Sequence, residues 1–347
     1  MNILKKILPI LLLVTVFTSC TKKYYYNTYV TNVDSIYTSY YYQTVLLEQQ
    51  EITDDIQPAY LQKGDTVGIF ALSNAVTKSE MEAGINVLKS WGLIVVEADN
   101  LYNKDGRYAG TASERIEGFQ KLIDNPNIKA LIAARGGYGA VQVISFIDFS
   151  PLKSNPKWIV GYSDVTALHI ALNDIGVETI HGPMIKGMSD TESIESLRKA
   201  LFGELTNNSI ATNENCVKGT AEGRLVGGNL SITYSLGGTL YDLNVKNAIL
   251  FIEDTGEANY AIDRMLANLK LSGKLNNIKG VVVGDFTGMS QGSDRPLNEI
   301  IHNYFDDLHI PILYGIKMGH DSKNLSTYLG RTVKLDINTS TASITYE

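Results

Sequence analysis

Between Thr66 and Leu172 the sequence alternates short apolar runs with amphipathic segments that start with their own caps. Thr66 to Phe70 reads as a buried strand after a Gly64-Asp65 turn. Thr77-Lys78-Ser79-Glu80 is a capping box, and Met81, Ile85 and Leu88 follow at helical spacing until Gly92. Leu93 to Val96 is the next strand. Thr111-Ala112-Ser113-Glu114 is a second capping box, leading Ile116, Phe119 and Ile123 on one face. Ala130 to Ala134 is a third strand. Strands and helices in strict alternation require a parallel sheet with both faces covered, which places a site at the carboxyl ends of the strands.

The fourth repeat carries the chemistry. Lys157 to Val160 is too short for a helix and reads as a strand. Gly161 lets the chain turn, and Val165, Leu168 and Leu172 recur at helical spacing. Ser163 therefore sits on a tight strand-to-helix turn, and the backbone N–H of Asp164 opens the helix, free to bind an anion. This is the layout of a nucleophile elbow, although Val165 stands where G-x-S-x-G has its second glycine. A Ser-Asp N-cap on a buried helix gives the same local pattern. The third strand runs into Arg135-Gly136-Gly137-Tyr138-Gly139. Such a loop suits a phosphate, an oxyanion hole shared with Asp164, or a turn needed only for packing. It lacks the G-x-G-x-x-G order and a Walker lysine.

A serine nucleophile needs a base. Five histidines are available, and His320 is preferred because Gly319-His320 follows a predicted strand at Pro311 to Tyr314. His169 reads as a helical histidine, His181 as structural or cleft-lining, and His302 and His309 as surface residues. Ala248 to Ile252 is a buried strand ending in Glu253-Asp254. Adjacent strand residues point to opposite sides, so only one of these carboxylates can face the histidine. The acidic pair also suits the start of the following helix.

Four motifs together carry a resemblance: Tyr108-Ala109-Gly110-Thr111, Arg135-Gly136-Gly137-Tyr138-Gly139, Gly161-Tyr162-Ser163-Asp164 and His181-Gly182-Pro183. In this order they resemble the LD-carboxypeptidase family of serine peptidases, which includes muramoyl-tetrapeptide carboxypeptidases and microcin C immunity peptidases. Gly227-Gly228-Asn229-Leu230, Phe251-Ile252-Glu253-Asp254 and Gly319-His320 extend the similarity over about residues 60–335. The resemblance implies Ser163 as nucleophile, Glu253 and His320 as its triad partners, and the N–H groups of Gly137 and Asp164 as the oxyanion hole. It implies no cofactor and no metal, and a homodimer. The implied substrate is a murein peptide with an L,D bond, whose terminal D-alanine leaves. A related amidase on a peptide-nucleotide toxin and a non-catalytic wall-fragment-binding lipoprotein are the alternatives. Arg135 is a candidate anchor for the substrate carboxylate, or else a salt-bridge partner under its loop. Where the family's first strand ends Ala-Pro-Ser, this chain has Ala71-Leu72-Ser73.

The implied fold class is α/β. An N-terminal parallel-sheet, Rossmann-like domain (58–202) carries the nucleophile. A polar linker (203–219) leads to a C-terminal mixed β/α domain (220–347) with the glutamate and histidine, and the active site lies in the cleft between the two. Lys5 and Lys6 followed by the apolar run Ile7 to Phe17 read as an export signal, residues 1–20, shorter than a spanning helix. Phe17-Thr18-Ser19-Cys20 resembles a lipobox, implying lipid on Cys20 and an exported, membrane-anchored protein. Residues 21–57 are a tyrosine-rich tether. A net charge of −7 argues against nucleic acid as a partner. Two cysteines, Cys20 and Cys216, make neither a disulfide framework nor a zinc site.

Overall fold

The computed structural model describes Gln49, Ile52 and residues 55–346. The export segment, Cys20 and nearly all of the tether lie outside the described residues. From Glu51 onward the chain packs as a single compact unit.

The first five strands are β1 (Thr66–Phe70), β2 (Ile94–Glu97), β3 (Ile128–Ala133), β4 (Trp158–Gly161) and β5 (Thr179–His181). They pair in parallel in the order β5-β4-β3-β1-β2. Both capping boxes form. The Thr77 hydroxyl accepts from the Glu80 N–H while the Glu80 carboxylate accepts from the Thr77 N–H. Thr111 and Glu114 repeat the arrangement. Each cap stabilises its helix by about 1 kcal/mol and fixes where the chain turns away from the sheet. Alternation within β3 sends Leu131 and Ala133 into one core and Ala130 and Ile132 into the other.

The later strands are β6 (Asn207–Ala211), β7 (Gly219–Asn229), β8 (Ile249–Thr255), β9 (Gly280–Thr287), β10 (Ile312–Tyr314), β11 (Thr327–Leu329), β12 (Thr332–Ile337) and β13 (Thr341–Tyr346). All but β11 form a second, mixed sheet in the order β10-β9-β8-β7-β12-β13-β6. β7 to β10 are parallel, and β12 and β13 close the chain as the expected hairpin. The fold class is therefore the α/β arrangement expected. The 203–219 stretch differs from a plain linker, because it carries β6, paired antiparallel to β13. The polarity that made it read as a loop is used inside the fold. Asn208 is buried, and its amide donates to the Ser326 carbonyl at 2.8 Å and the Tyr346 hydroxyl at 2.6 Å.

β11 leaves the second half of the chain and joins the first sheet, antiparallel to β5, with Thr327 opposite His181. Three contacts brace the segment leading into it against the helix Thr191–Phe202. The Asn324 N–H donates to the Ser193 hydroxyl, the Ser326 N–H donates to the Ser196 hydroxyl, and Lys323 pairs with Glu192. Just past β11, the buried Arg331 guanidinium donates twice to Glu178 and stacks over Tyr328 at 3.8 Å. Each of the two cores contains residues of both sheets: Leu131 with Leu250 in one, Ile132 with Phe251 in the other.

Candidate active site

Ser163 lies just beyond β4, and its backbone is left-handed, with φ of 63°. A non-glycine residue in that region costs of order 1–3 kcal/mol and persists only where its surroundings hold it there. Gly161 makes the sharp turn before it, with φ of 159°, and a short helical turn, Ser163–Val165, runs into the helix Thr166–Asp174. The elbow read from sequence is thus present as a strained strand-to-helix turn.

The glycine loop packs directly on the serine. A Cβ on Gly136 would stand 3.1 Å from the Ser163 Cβ and 3.3 Å from its Oγ. A side chain there would press on Ser163, which gives the glycine a reason beyond turn-making. The Asp164 carboxylate, fully buried, ties the loops together. It accepts from the Ser73 hydroxyl at 2.5 Å and from the Ala140 N–H at 2.9 Å. Burial pushes this carboxyl above its ordinary value, against the hydrogen bonds that favour its charge. Ser73 lies in the loop after β1, and the departure at Leu72 leaves the clamp intact. Sequence reasoning assigned Asp164 only its N–H; the acidic residue beside the serine was the available signal for the clamp.

Glu253 and Asp254 do split to opposite sides. Glu253 Oε2 lies 2.6 Å from His320 Nδ1. Asp254 instead accepts from the Ser231 N–H and hydroxyl and from the Asn229 amide. Glu253 is fully buried, whereas the His320 side chain stays partly exposed, at 15%. Burial pushes the Glu253 carboxyl up, and the His320 hydrogen bond opposes it. With Nδ1 bonded to a carboxylate, Nε2 is the nitrogen left for chemistry. His320 stands in the segment that crosses from β10 in the second sheet to β11 in the first. Its turn is fixed by the Gly319 N–H donating to Asn324 Oδ1 at 3.0 Å. The Tyr162 ring, next to the serine, meets the His320 ring at 4.9 Å between centroids. The elbow and the Glu-His pair are therefore brought together around Tyr162.

Arg135 carries no carboxylate partner among the contacts of the described residues; its guanidinium makes one long contact, 3.5 Å to the Ala75 carbonyl. Gly137 has φ of 121°, and its Cα faces the Asn74 side chain.

A domain model described as the LD-carboxypeptidase N-terminal domain matches residues 67–182, and its C-terminal counterpart matches 222–335. A relative from Bacillus subtilis (strain 168), named "Probable murein peptide carboxypeptidase", is 33% identical over 83% of this chain and 94% of its own length. The chain belongs to the LD-carboxypeptidase family. The structure of a muramoyltetrapeptide carboxypeptidase from Oxalobacter formigenes matches with a TM-score of 0.73 at 27% identity, over 80% of this chain and 97% of that one. A complex of MccF with glutamyl sulfamoyl guanosine matches with a TM-score of 0.76 at 26% identity, over 84% and 98%. As an LD-carboxypeptidase family member the protein is a peptidase, and both halves of the family's architecture are present.

In this family member, two histidines outside the Glu-His pair, His169 and His181, are fully buried near the elbow. His169 Nε2 lies 2.9 Å from the Gly161 carbonyl. A carbonyl only accepts, so Nε2 carries the proton. Burial takes His169 down to about 4 from an ordinary value of 6.5. The sign follows by linkage: the unfolded chain binds this proton first on acidification. The stabilisation is complete above pH 6.5 and is lost as pH falls from 6.5 towards 4. Its size is about 3 kcal/mol at most. Urea unfolding across that range should show the loss in the parent and a shallower slope in His169→Gln, whose amide can still donate to Gly161. Equal slopes in the two proteins would refute the assignment.

Proposed function

We propose that the protein is a serine-type LD-carboxypeptidase acting on murein peptides. The observation that carries the reading is the Glu253–His320 pair, 2.6 Å apart, whose imidazole meets the ring of Tyr162, the residue before a serine held in a left-handed turn. In this reading Ser163 Oγ attacks the scissile carbonyl as His320 Nε2 takes its proton. Glu253 holds the Nδ1 proton and favours the imidazolium that forms. The N–H groups of Gly137 and Asp164 receive the oxyanion; losing one such donor raises the barrier by about 2.7–4 kcal/mol. His320 then protonates the leaving amine, and water resolves the acyl-enzyme.

The substrate class rests on the relatives named for murein peptides. The proposed bond is the L,D linkage before a terminal D-alanine, with Arg135 as the cation for the free carboxylate. The equal likeness to MccF supports a second reading, cleavage of an aminoacyl or peptidyl amide on a nucleotide-like group. Residues 1–20 carry the export signal and Cys20 the lipid in our reading, which puts the enzyme where it meets wall fragments. Ile56 pairs with Val177 at the start of β5, the strand end opposite the site.

Purified residues 55–347 should release D-alanine from L-Ala-γ-D-Glu-diaminopimelate-D-Ala, followed by mass spectrometry. An L-alanine-terminated control should be cleaved at least about 100-fold more slowly. Cleavage of a glutamyl sulfamoyl nucleoside alone would move the assignment to the second reading. Equal rates on both stereoisomers would remove the L,D specificity.

A further inference from the structure

Tyr162 stands in a row of four rings. Its ring lies 4.9 Å from His320, tilted at 66°. On its other side it lies 5.8 Å from His181. His181 meets Phe251 edge-on, at 5.0 Å and 84°. The row thus runs from the His320 turn, through the elbow, to β5 and on to β8. Its inner members cannot drift. His181 and Phe251 are completely buried, and burial holds the His181 imidazole uncharged, well below its ordinary value. Tyr162 itself is extended, with φ of −150°, and is followed at once by the left-handed Ser163. Its carbonyl is fixed by the Val165 N–H at 3.2 Å.

Among the described residues, no hydrogen bond of the first sheet reaches the His320 ring; Glu253, its ring partner, belongs to β8. Ser163 instead follows β4 of the first sheet. Something must fix the distance between nucleophile and base across that division. We propose that Tyr162 is the positioning residue that does so: its ring, wedged between His181 and His320, sets where the imidazole stands relative to the serine on the same backbone. This rests on the reading of Ser163 and His320 as nucleophile and base. The action belongs to the ring, not to the hydroxyl, since stacking is what the geometry supplies. A small misplacement of a base costs rate without weakening substrate binding.

The test compares Tyr162→Leu with Tyr162→Phe in three readouts: D-alanine release, the rate at which a fluorophosphonate labels Ser163, and the His320 ring resonances by NMR. Leucine should lower kcat by about 10–100-fold with KM within about threefold, slow labelling to match, and move the His320 resonances. Phenylalanine should stay within about threefold of the parent in all three. A leucine variant with the parent's rates overturns the proposal. So does a phenylalanine variant as slow as leucine, which would give the work to the hydroxyl, or a leucine effect confined to KM, which would make Tyr162 a substrate contact. If the parent labels but releases no D-alanine, the substrate reading fails and labelling decides for Tyr162. If the parent does neither, unmoved His320 resonances in the leucine variant overturn the proposal and moved ones support it. Should Tyr162→Leu not fold, His181→Leu withdraws the support behind the ring. It should cost a smaller loss, about three- to tenfold in kcat, with parental kcat counting against the wedge.

Discussion

Ser163→Ala should reduce turnover by about 10⁴–10⁶-fold while leaving substrate affinity nearly unchanged. The hydroxyl is the only atom removed, so the loss reads the nucleophile directly. The variant should bind the tetrapeptide and accumulate no acyl-enzyme. The same position offers a second readout on stability. At φ of 63°, alanine keeps the left-handed strain and glycine relieves it. Ser163→Gly should therefore be equally inactive yet unfold at higher urea than Ser163→Ala, by about 1 kcal/mol. Turnover within about tenfold of the parent in either variant would remove Ser163 from the mechanism. Equal stabilities would say the elbow is not strained.

Glu253→Gln should cost about 10⁴-fold in kcat. The amide nitrogen, turned towards His320 Nδ1, makes that nitrogen an acceptor and moves the ring proton to Nε2. The base would then present a donor where it must accept. Folding should not suffer in proportion. Burial already pushes the Glu253 carboxyl up, so a neutral group of the same shape removes an unfavourable charge. The expected signature is a dead enzyme with an undiminished melting temperature. A variant that loses stability and activity together would make Glu253 a structural group. The parent's pH profile carries the same logic. Protonation of the Glu253–His320 pair leaves nothing to accept the serine proton, so kcat/KM should fall on acidification. A profile flat through the acid range would exclude His320 as base.

Local signals made much of this legible from the residues. The two capping boxes, the apolar runs and the closing hairpin are set by neighbours in sequence, and each forms where the pattern puts it. Ser163, Glu253 and His320 could be proposed because their motifs are short and contiguous. What joins them is not local. β11 is three residues long, and nothing in Thr327-Tyr328-Leu329 says that it leaves the second sheet for the first. β6 hid for a different reason: in Asn207–Ala211 a buried asparagine takes a place where an apolar residue would have shown the strand. The Asp164 carboxylate and the Tyr162 ring were in plain view in the singled-out stretch. Their partners, Ser73 and His181, lie in other strands' loops or ends, so only the fold discloses what they hold.

The crossing of β11 has a consequence for how product escapes. In many two-lobed enzymes the halves swing apart about a flexible joint. Here the segment that bears His320 is stitched to the Thr191–Phe202 helix on one side and hydrogen-bonded to β5 at its end. Swinging the halves apart would tear that stitching and break up the Glu253–His320 pair with it. A hinge between the halves would have to break these hydrogen bonds at every opening. Separately expressed halves, cut within 203–219, should regain activity only by reassembling with β11 back in its slot.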